Sequence, residues 1–409
     1  MRSGPPPGSA REVFGAFLRL GLTSFGGPIA HLGYFRHEFV QRRGWLDEHA
    51  YAELVALCQF LPGPASSQVG FALGLRRAGW SGALAAWLGF TLPSALLLVL
   101  FALGLARAEA SPILSSVIHA LKIVAVAVVA QAVSGMWKAL CPDWPRRALA
   151  LATATVALGW PGAAGQLLAL GACALAGWRR SVPPAGLALP EPADGQGASR
   201  ASRIALAMFF VLLAALPLAA RASAQPWLQL FEAFYRAGAL VFGGGHVVLP
   251  LLQAGVVGPG WASESAFLAG YGAAQAVPGP LFTFAAYLGA VIGGSAQAPF
   301  GPHGAWLGAA ACLVAVFLPG LLLVAGALPA WTRLRRRASL RAALAAVNAG
   351  VVGILLAALI DPVATGAVRS VLDALVATAL ALLLMRLRWP PMAVVATAIV
   401  LGAARALLG

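Results

Sequence analysis

FGAFLRLGLTSFGG at residues 14–27 reappears as FEAFYRAGALVFGG at residues 231–244. Both stretches contain Phe-x-x-Phe-x-Arg-x-Gly-x-x-x-Phe-Gly-Gly, a pattern too long to arise by chance. Further matches follow in the same order along the chain: Gly44-Trp45 with Gly260-Trp261, Gln59-x-x-Pro62-Gly63-Pro64 with Gln275-x-x-Pro278-Gly279-Pro280, Trp80 with Trp306, and Pro93 with Pro319. The chain is therefore a tandem repeat of two homologous halves.

The composition indicates a membrane protein. Of the 409 residues, 60% are apolar and 10% are charged, and the mean hydropathy is +0.84. An ionised side chain at the bilayer centre costs about 2.5–3.5 kcal/mol, so most charges belong in loops. We interpret the net charge of +15 as a topology signal and expect no nucleic acid, because no basic patch with interleaved aromatic residues occurs. The four cysteines lack metal-ligand or disulfide spacing, so no metal or cofactor is expected.

Long uncharged runs predict an all-α polytopic fold in which six apolar segments precede, and six follow, one further helix. These runs are 14–34, 50–75, 80–106, 113–137, 148–160, 163–178, 204–220, 228–250, 265–292, 305–330, 340–360, 368–385 and 391–408. The domains expected from them are a disordered 1–13, a first repeat 14–178, a polar linker 179–203, a single helix 204–220 and a second repeat 231–409.

The positive charges of equivalent loops indicate opposite orientations of the halves. The loop after the third segment holds Arg107 in the first half and five arginines, within 331–341, in the second. The next loop reverses this, with three basic residues in 138–147 against Arg369 alone. Because Lys and Arg accumulate in cytoplasmic loops, we expect 204–220 to cross the membrane once and to invert the second repeat. The linker 179–203 is then cytoplasmic.

A Pro-Gly-Pro motif interrupts an apolar run in each half. Proline lacks a backbone donor and disfavours helix at the preceding residue, so the helix must stop there and a half-helix must start after it. The first N–H groups of that half-helix have no intrahelical acceptor and attract anions. A simple proline kink is the alternative, but the duplication favours one dyad-related oxyanion site. Its residues are Pro62, Gly63, Pro64, Ser66, Ser67, Pro278, Gly279, Pro280 and Thr283.

Glycine pairs end the first segment of each half at Gly26-Gly27 and Gly243-Gly244. Glycine at these positions permits either a turn out of the helix or close approach by a neighbouring backbone. Both readings remain open, and in either the glycines are candidate walls of the anion site.

A few charged side chains lie inside apolar segments. Arg19 and Arg236 occupy equivalent positions and are candidate anion ligands, although an arginine near a segment start also snorkels to the headgroups. Glu53 and Glu232 are candidate coupling groups, or polar residues near an interface. His31 is interpreted as a lone polar residue rather than a proton switch.

The motifs resemble those of the chromate ion transporter family, in its form with two fused homologous domains. The resemblance rests on Phe25-Gly26-Gly27-Pro28, Trp45-Leu46, the two Pro-Gly-Pro motifs, Gly74-x-x-Arg77-x-Gly79-Trp80, Phe90-x-x-Pro93 and Phe242-Gly243-Gly244-Gly245. It covers about 14–137 and 231–361 well. The charged stretch Arg36 to Arg43 has no counterpart around 252–258, which leaves open whether the halves contribute equally.

The resemblance implies export of chromate across a bacterial inner membrane, coupled to sulfate or to the proton gradient, with chromate resistance as the result. Sulfate is the alternative substrate, and a passive anion channel is the alternative mechanism. An enzyme such as a chromate reductase is not expected, since the chain has no Rossmann fingerprint and no paired ligand histidines. An ATP-driven pump is not expected either, because no P-loop motif occurs. The expected partners are the lipid bilayer and the anion, and a homodimer stays open.

Because the second repeat is expected to be inverted, equivalent loops of the two halves should face opposite sides of the membrane. In a variant lacking the native cysteines, Ala110→Cys should react with an impermeant thiol reagent added to intact cells, and Ala338→Cys only after permeabilisation. The arginine-rich loop is retained in the cytoplasm by the positive-inside rule, which explains the difference. Equal reactivity at the two positions would contradict the inverted repeat.

Overall fold

The computed structural model of the protein describes residues 8–107, 112–160, 162–179, 199–223, 225–242, 245–295, 303–331 and 337–408. Within these ranges the chain is helical and contains no β-strand. Five helical stretches are long and apolar enough to cross a membrane: Ala65–Leu105, Ser115–Leu140, Arg200–Ala222, Gly304–Ala327 and Ala338–Ala367. The expected all-α polytopic membrane fold is confirmed.

The helices follow the apolar segments. In the first half they are α1 (Ala10–Thr23), α2 (Gly27–Phe35), α3 (Glu48–Phe60), α4 (Ala65–Arg107), α5 (Pro112–Leu140), α6 (Trp144–Gly159) and α7 (Ala163–Arg179), followed by α8 (Arg200–Ala222). In the second half they are α9 (Pro226–Ala239), α10 (Val248–Val256), α11 (Glu264–Ala274), α12 (Phe284–Gly293), α13 (Gly304–Ala327), α14 (Ala338–Ala358), α15 (Val371–Met385) and α16 (Pro391–Leu408).

The N-terminal stretch differs from the expectation of disorder over 1–13. The first helix already begins at Ala10, because the hydroxyl of Ser9 accepts the Glu12 N–H at 3.1 Å and caps it. The N–H of Gly8 donates to the carbonyl of Arg77 at 3.0 Å. Residues 8–13 are therefore part of the fold, while 1–7 lie outside the described residues, as does 180–198 of the predicted linker.

The segment predicted as 14–34 is two helices rather than one. Gly26 and Gly27 have φ values of +100° and +78°, a backbone region that favours glycine, and α1 ends before them while α2 begins at Gly27. The turn out of helix is thus the correct interpretation of these glycines. The segment predicted as 228–250 is interrupted at the same place, between α9 and a 3₁₀ turn at Gly245–Val247.

The long helix α4 also consists of two pieces, residues 65–77 (α4a) and 80–107 (α4b). Ala78 and Gly79 depart from helical geometry, with φ of −144° and +64°. The backbones of Gly74 and Gly82 lie so close that a Cβ on Gly74 would clash with the Gly82 carbonyl. The chain therefore turns back sharply at Ala78 and Gly79. In the second half, helices α12 and α13 pack closely in the same way, through the glycine pairs Gly289–Gly308 and Gly293–Gly304.

The half-helices of the first repeat return to the end at which they start. Arg77, at the end of α4a, bonds Glu12 of α1 at 3.1 Å, and its guanidinium lies 5.2 Å from the ring of Trp45, just before α3. Helix α3 has 13 residues and so spans roughly 20 Å, less than the ~30 Å hydrocarbon core. Helices α3 and α4a therefore run from one end of the molecule to the break and back to the same end.

The last two helices of each half pack on the other half. Helices α6 and α7 contact α14, whereas α15 and α16 contact α5. Small residues allow the close approach, since a Cβ on Gly353 would clash with the Ala150 carbonyl and one on Gly350 would lie 2.8 Å from Cys173 Sγ. Helix α8 is the least buried of the five long stretches and packs on α9 and α13. The two halves thus share one interlocked core.

The exchanged contacts should be required for stability. Gly353→Leu in α14 should destabilise the protein by more than the ~1–3 kcal/mol typical of overpacking, because its side chain meets backbone of α6. Gly171→Leu in α7, where nothing lies within 4 Å, is the control. Thermal unfolding in detergent should show a lower midpoint for the first variant alone, and equal midpoints would contradict the packing.

Candidate functional site

The helices break at both Pro-Gly-Pro motifs, as predicted. Helix α3 ends at Phe60, and the backbone of Leu61 is extended. Helix α4 begins at Ala65, and the Pro64 carbonyl accepts its first hydrogen bond, from the Gln68 N–H at 2.9 Å. Helix α11 ends at Ala274, and the chain restarts as a 3₁₀ turn at Leu281–Thr283 that runs into α12. The prolines thus precede the new helices.

The one backbone donor in each Pro-Gly-Pro motif reaches across to the other half. The N–H of Gly63 donates to the Val241 carbonyl at 2.7 Å, and the N–H of Gly279 donates to the Ser24 carbonyl at 2.9 Å. Ser24 and Val241 both precede a Phe-Gly-Gly motif, so they are equivalent in the repeat. Each break is therefore joined to the end of the first helix of the opposite half.

These bonds bring four segments together. We call them the central junction, composed of residues 24–28, 61–68, 241–242 with 245, and 275–283. A Cβ on Gly245 would lie 3.4 Å from Pro28 and 3.8 Å from Leu281, which places three of the segments in contact. Gly243 and Gly244, expected at the site, lie outside the described residues.

The break glycines have no room for a side chain. Gly63 and Gly279 have φ of +125° and +95°. A Cβ on Gly63 would lie 3.0 Å from the Gly320 Cα, and one on Gly279 would lie 2.8 Å from the Ser94 hydroxyl. Each break is therefore packed against the long helix of the opposite half, α13 or α4b.

The junction is rich in hydrogen-bonding groups that are not used within the described part of the chain. The N–H groups of Ala65, Ser66 and Ser67, and of Leu281 and Phe282, make no hydrogen bond there. In the second break Thr283 differs, because its N–H and hydroxyl both donate to the Pro280 carbonyl. Buried side-chain atoms without a partner in and beside the junction are Ser24 Oγ, both ring nitrogens of His31, Ser67 Oγ, Gln68 Oε1, Thr91 Oγ1 and Gln275 Nε2.

Two of these side chains have well-defined surroundings. Gln68 donates to the carbonyls of Pro62 at 2.9 Å and Gly320 at 3.0 Å, which fixes its amide. His31 is buried, its ring centroid lies 5.2 Å from that of Phe90, and the Ser24 backbone lies beside it without meeting hydrogen-bond geometry. Backbone and side-chain groups from both halves thus face one buried region.

The charged residues expected at the site have differing surroundings. Arg19 has an exposed side chain on α1. Arg236 is paired with Glu232 on its own helix, Nε to Oε1 at 2.7 Å. Glu53 is half-buried on α3, and its interactions do not decide a role. As ligands or coupling groups these residues stay predictions.

The charged stretch after α2 forms a cluster at the end where α1 begins. Glu38 accepts hydrogen bonds from Arg42 and Arg43, and Arg36 pairs with Glu48 at 2.6 Å. Burial acts to raise the pKa of Glu38, but the bonds from Arg42 and Arg43 outweigh it and lower that pKa below its usual value. The carboxylate therefore stays ionised and holds the loop together.

Comparison with known proteins agrees with this architecture. The sequence profile of the chromate transporter family matches residues 11–178 and 228–403, which is most of both halves. The chain belongs to the chromate transporter family. It is 30% identical to a chromate transport protein of Pseudomonas aeruginosa, over 87% of this chain and 82% of that protein. It is also 30% identical to a probable chromate transport protein of Synechococcus elongatus, over 78% and 75% of the two chains.

A third relative, a chromate transport protein of Cupriavidus metallidurans, is 27% identical over 87% of this chain and 83% of its own length. No solved structure matches. Membership of the family establishes a multi-pass membrane transport protein.

Sequence reasoning missed several polar residues in and beside the junction. Gln68 and Thr91 lie outside the repeated motifs, and His31 was interpreted as a lone polar residue. Gln275 belongs to the repeated Gln-x-x-Pro-Gly-Pro, and its amide nitrogen is buried, whereas its repeat partner Gln59 is exposed. The spacing of Gln68, four residues after Pro64, is the one signal that pointed to the first turn of a half-helix.

Side chains at the break glycines should abolish transport. Gly63→Leu and Gly279→Leu would fill the junction and cover its N–H groups. Gly44→Leu and Gly260→Leu are matched controls, because they have φ of +59° and +79° yet nothing lies within 4 Å. Chromate uptake by everted vesicles, per amount of inserted protein, should fall at least tenfold in the first pair and stay above half in the controls. Normal transport by either junction variant would contradict the site.

Proposed function

We propose that the protein exports chromate across the inner membrane of a bacterium as a secondary active transporter, and so confers chromate resistance. The central junction is the proposed anion site. The observation that carries the proposal is a set of N–H, hydroxyl, amide and imidazole groups in and beside it. Both halves contribute to this set, and its members make no hydrogen bond within the described residues. Inside a bilayer such groups need a partner, and an oxyanion accepts several hydrogen bonds at once.

The helix starts add a favourable potential for an anion. Each half-helix N-terminus contributes about 0.3–1 kcal/mol, and up to about 2 kcal/mol where it is partly buried. That is small against the dehydration of a dianion, so the hydrogen-bonding side chains must supply the rest. Ser67 and His31 are the side chains we assign to this task, with Gln275 as an amide donor.

The placement of equivalent residues supports an inverted repeat. Trp45 and Arg77 lie at the end where α4b begins, while Leu105, where α4b ends, lines one cavity together with Ser263. Ser263 is the repeat partner of Asp47, two residues after Trp45. Equivalent positions therefore lie at opposite ends of α4b, which suits a carrier that exposes the junction to each side in turn.

Coupling is proposed for the half-buried Glu53, and for Glu232 only if its pair with Arg236 opens. The alternative functions are a sulfate or other tetrahedral oxyanion transporter, since chromate and sulfate share charge and shape, and a passive anion channel. No single residue of the junction separates the two anions.

Transport by everted vesicles tests the proposal. Labelled chromate should accumulate when a proton gradient or internal sulfate is supplied, and unlabelled chromate on the far side should accelerate exchange, as it does for a carrier. Uptake of sulfate but not chromate would replace the substrate, and uptake without counterflow would indicate a channel. Absence of transport of either anion by inserted protein would contradict the function.

A further inference from the structure

Two adjoining cavities lie where α5, α11 and α15 begin, away from the central junction. Their volumes are about 290 and 540 Å³, and both are lined by Ser115, His119 and Arg369. Together we call them the vestibule. Its inner wall includes Lys122, and its rim includes Ser263 and Ser265.

Lys122 is the unusual residue of the vestibule. Its exposed fraction is only 4%, and in the described part of the chain its ammonium group makes neither a hydrogen bond nor an ion pair. Lysine is almost never fully buried unless it is paired, because removing its charge from water is costly. A second cation, Arg369, lines the same cavity.

Among the described residues, no carboxylate lines the smaller cavity, in which Lys122 and Arg369 both take part. Asp373 lines the larger cavity, where it accepts from His119 at 3.0 Å and from the Arg369 N–H at 3.0 Å and keeps its negative charge. Glu264 acts electrostatically on Lys122 but is not among the residues lining either cavity. The smaller cavity thus presents two cationic side chains and several serine hydroxyls, while Asp373 adds a negative charge to the larger one.

We propose that the vestibule is a second anion-binding site, which holds a tetrahedral oxyanion between Lys122 and Arg369. A cavity of about 290 Å³ accommodates such an anion with part of its hydration shell. The hydroxyls of Ser263 and Ser265 supply donors that suit its oxygens. The anion class rests on the proposed function, whereas the site itself rests on the buried lysine.

The vestibule is connected to the junction by one helix. Helix α11 starts at its rim and, with 11 residues, reaches the second break roughly 16 Å deeper. That depth is about half of the ~30 Å hydrocarbon core. The vestibule and the junction therefore lie near opposite ends of α11, and the proposed second site is separate from the first.

Protection of a single cysteine tests the site without relying on transport. Ser115→Cys, in a variant lacking the native cysteines, places a thiol in both cavities, and an anionic thiosulfonate reagent reports its accessibility. Sulfate, which is not an oxidant, is the probe, with gluconate at equal ionic strength for comparison. We expect sulfate to slow labelling at least fivefold, and Lys122→Gln or Arg369→Gln to remove that protection.

Lys138→Gln is the matched control, because Lys138 lies near the other end of α5 with an exposed side chain, and it should retain the protection. Arg369 is exposed, so its variant tests the site even if Lys122→Gln fails to fold. Absence of protection in the parent would overturn the proposal. Protection in both the Lys122 and Arg369 variants that equals the protection in the parent would overturn it as well. Protection that persists in the Gly279→Leu variant supports a site independent of the junction.

The same variants separate this inference from the proposed function. Protection in a protein that carries neither chromate nor sulfate would leave the vestibule standing and remove the transporter proposal. Normal transport with no protection in the parent would remove the vestibule proposal and leave the transporter proposal standing.

Discussion

A backbone group in the middle of a bilayer has no water to bond to, and this constraint governs the centre of the protein. A Pro-Gly-Pro motif satisfies this constraint with one acceptor, because its two prolines have no N–H and only the glycine donates a hydrogen bond. That acceptor is the Ser24 or Val241 carbonyl, freed in turn by the end of α1 or α9. The two kinds of helix break thus satisfy one another across the halves.

The breaks match in position but not in detail. Within the described residues, the N–H groups of Ala65, Ser66 and Ser67 at the first restart make no hydrogen bond. The 3₁₀ turn of the second restart instead returns the Thr283 donors to the Pro280 carbonyl. The half-site at α4a is therefore the richer in backbone donors. An anion centred between the halves would be held asymmetrically, which agrees with the unequal surroundings of Gln59 and Gln275.

Much of this could be predicted from the sequence. Hydropathy predicted the long helices, and the chemistry of proline predicted the helix breaks. Both predictions succeed because they depend only on residues that are close in sequence. The turns at Gly26 and Gly79 were harder, since glycine permits a turn without requiring it. Which helices pack together was outside the reach of hydropathy, which measures length and not partners. Arg19 shows the limit for single residues, because an arginine in an apolar run can face either the interior or the headgroups.

The exchange of the last helices between the halves has a consequence for biosynthesis. Helices α6 and α7 are complete once Arg179 is made, but their partner α14 begins at Ala338, about 160 residues later. At synthesis rates of 5–20 residues per second, that interval is roughly 8–32 s. During it, the faces of α6 and α7 that pack on Gly350 and Gly353 of α14 lack that partner. The first half therefore reaches its native packing only after the second has been inserted, and a nascent chain interrupted between them would leave a half without its core.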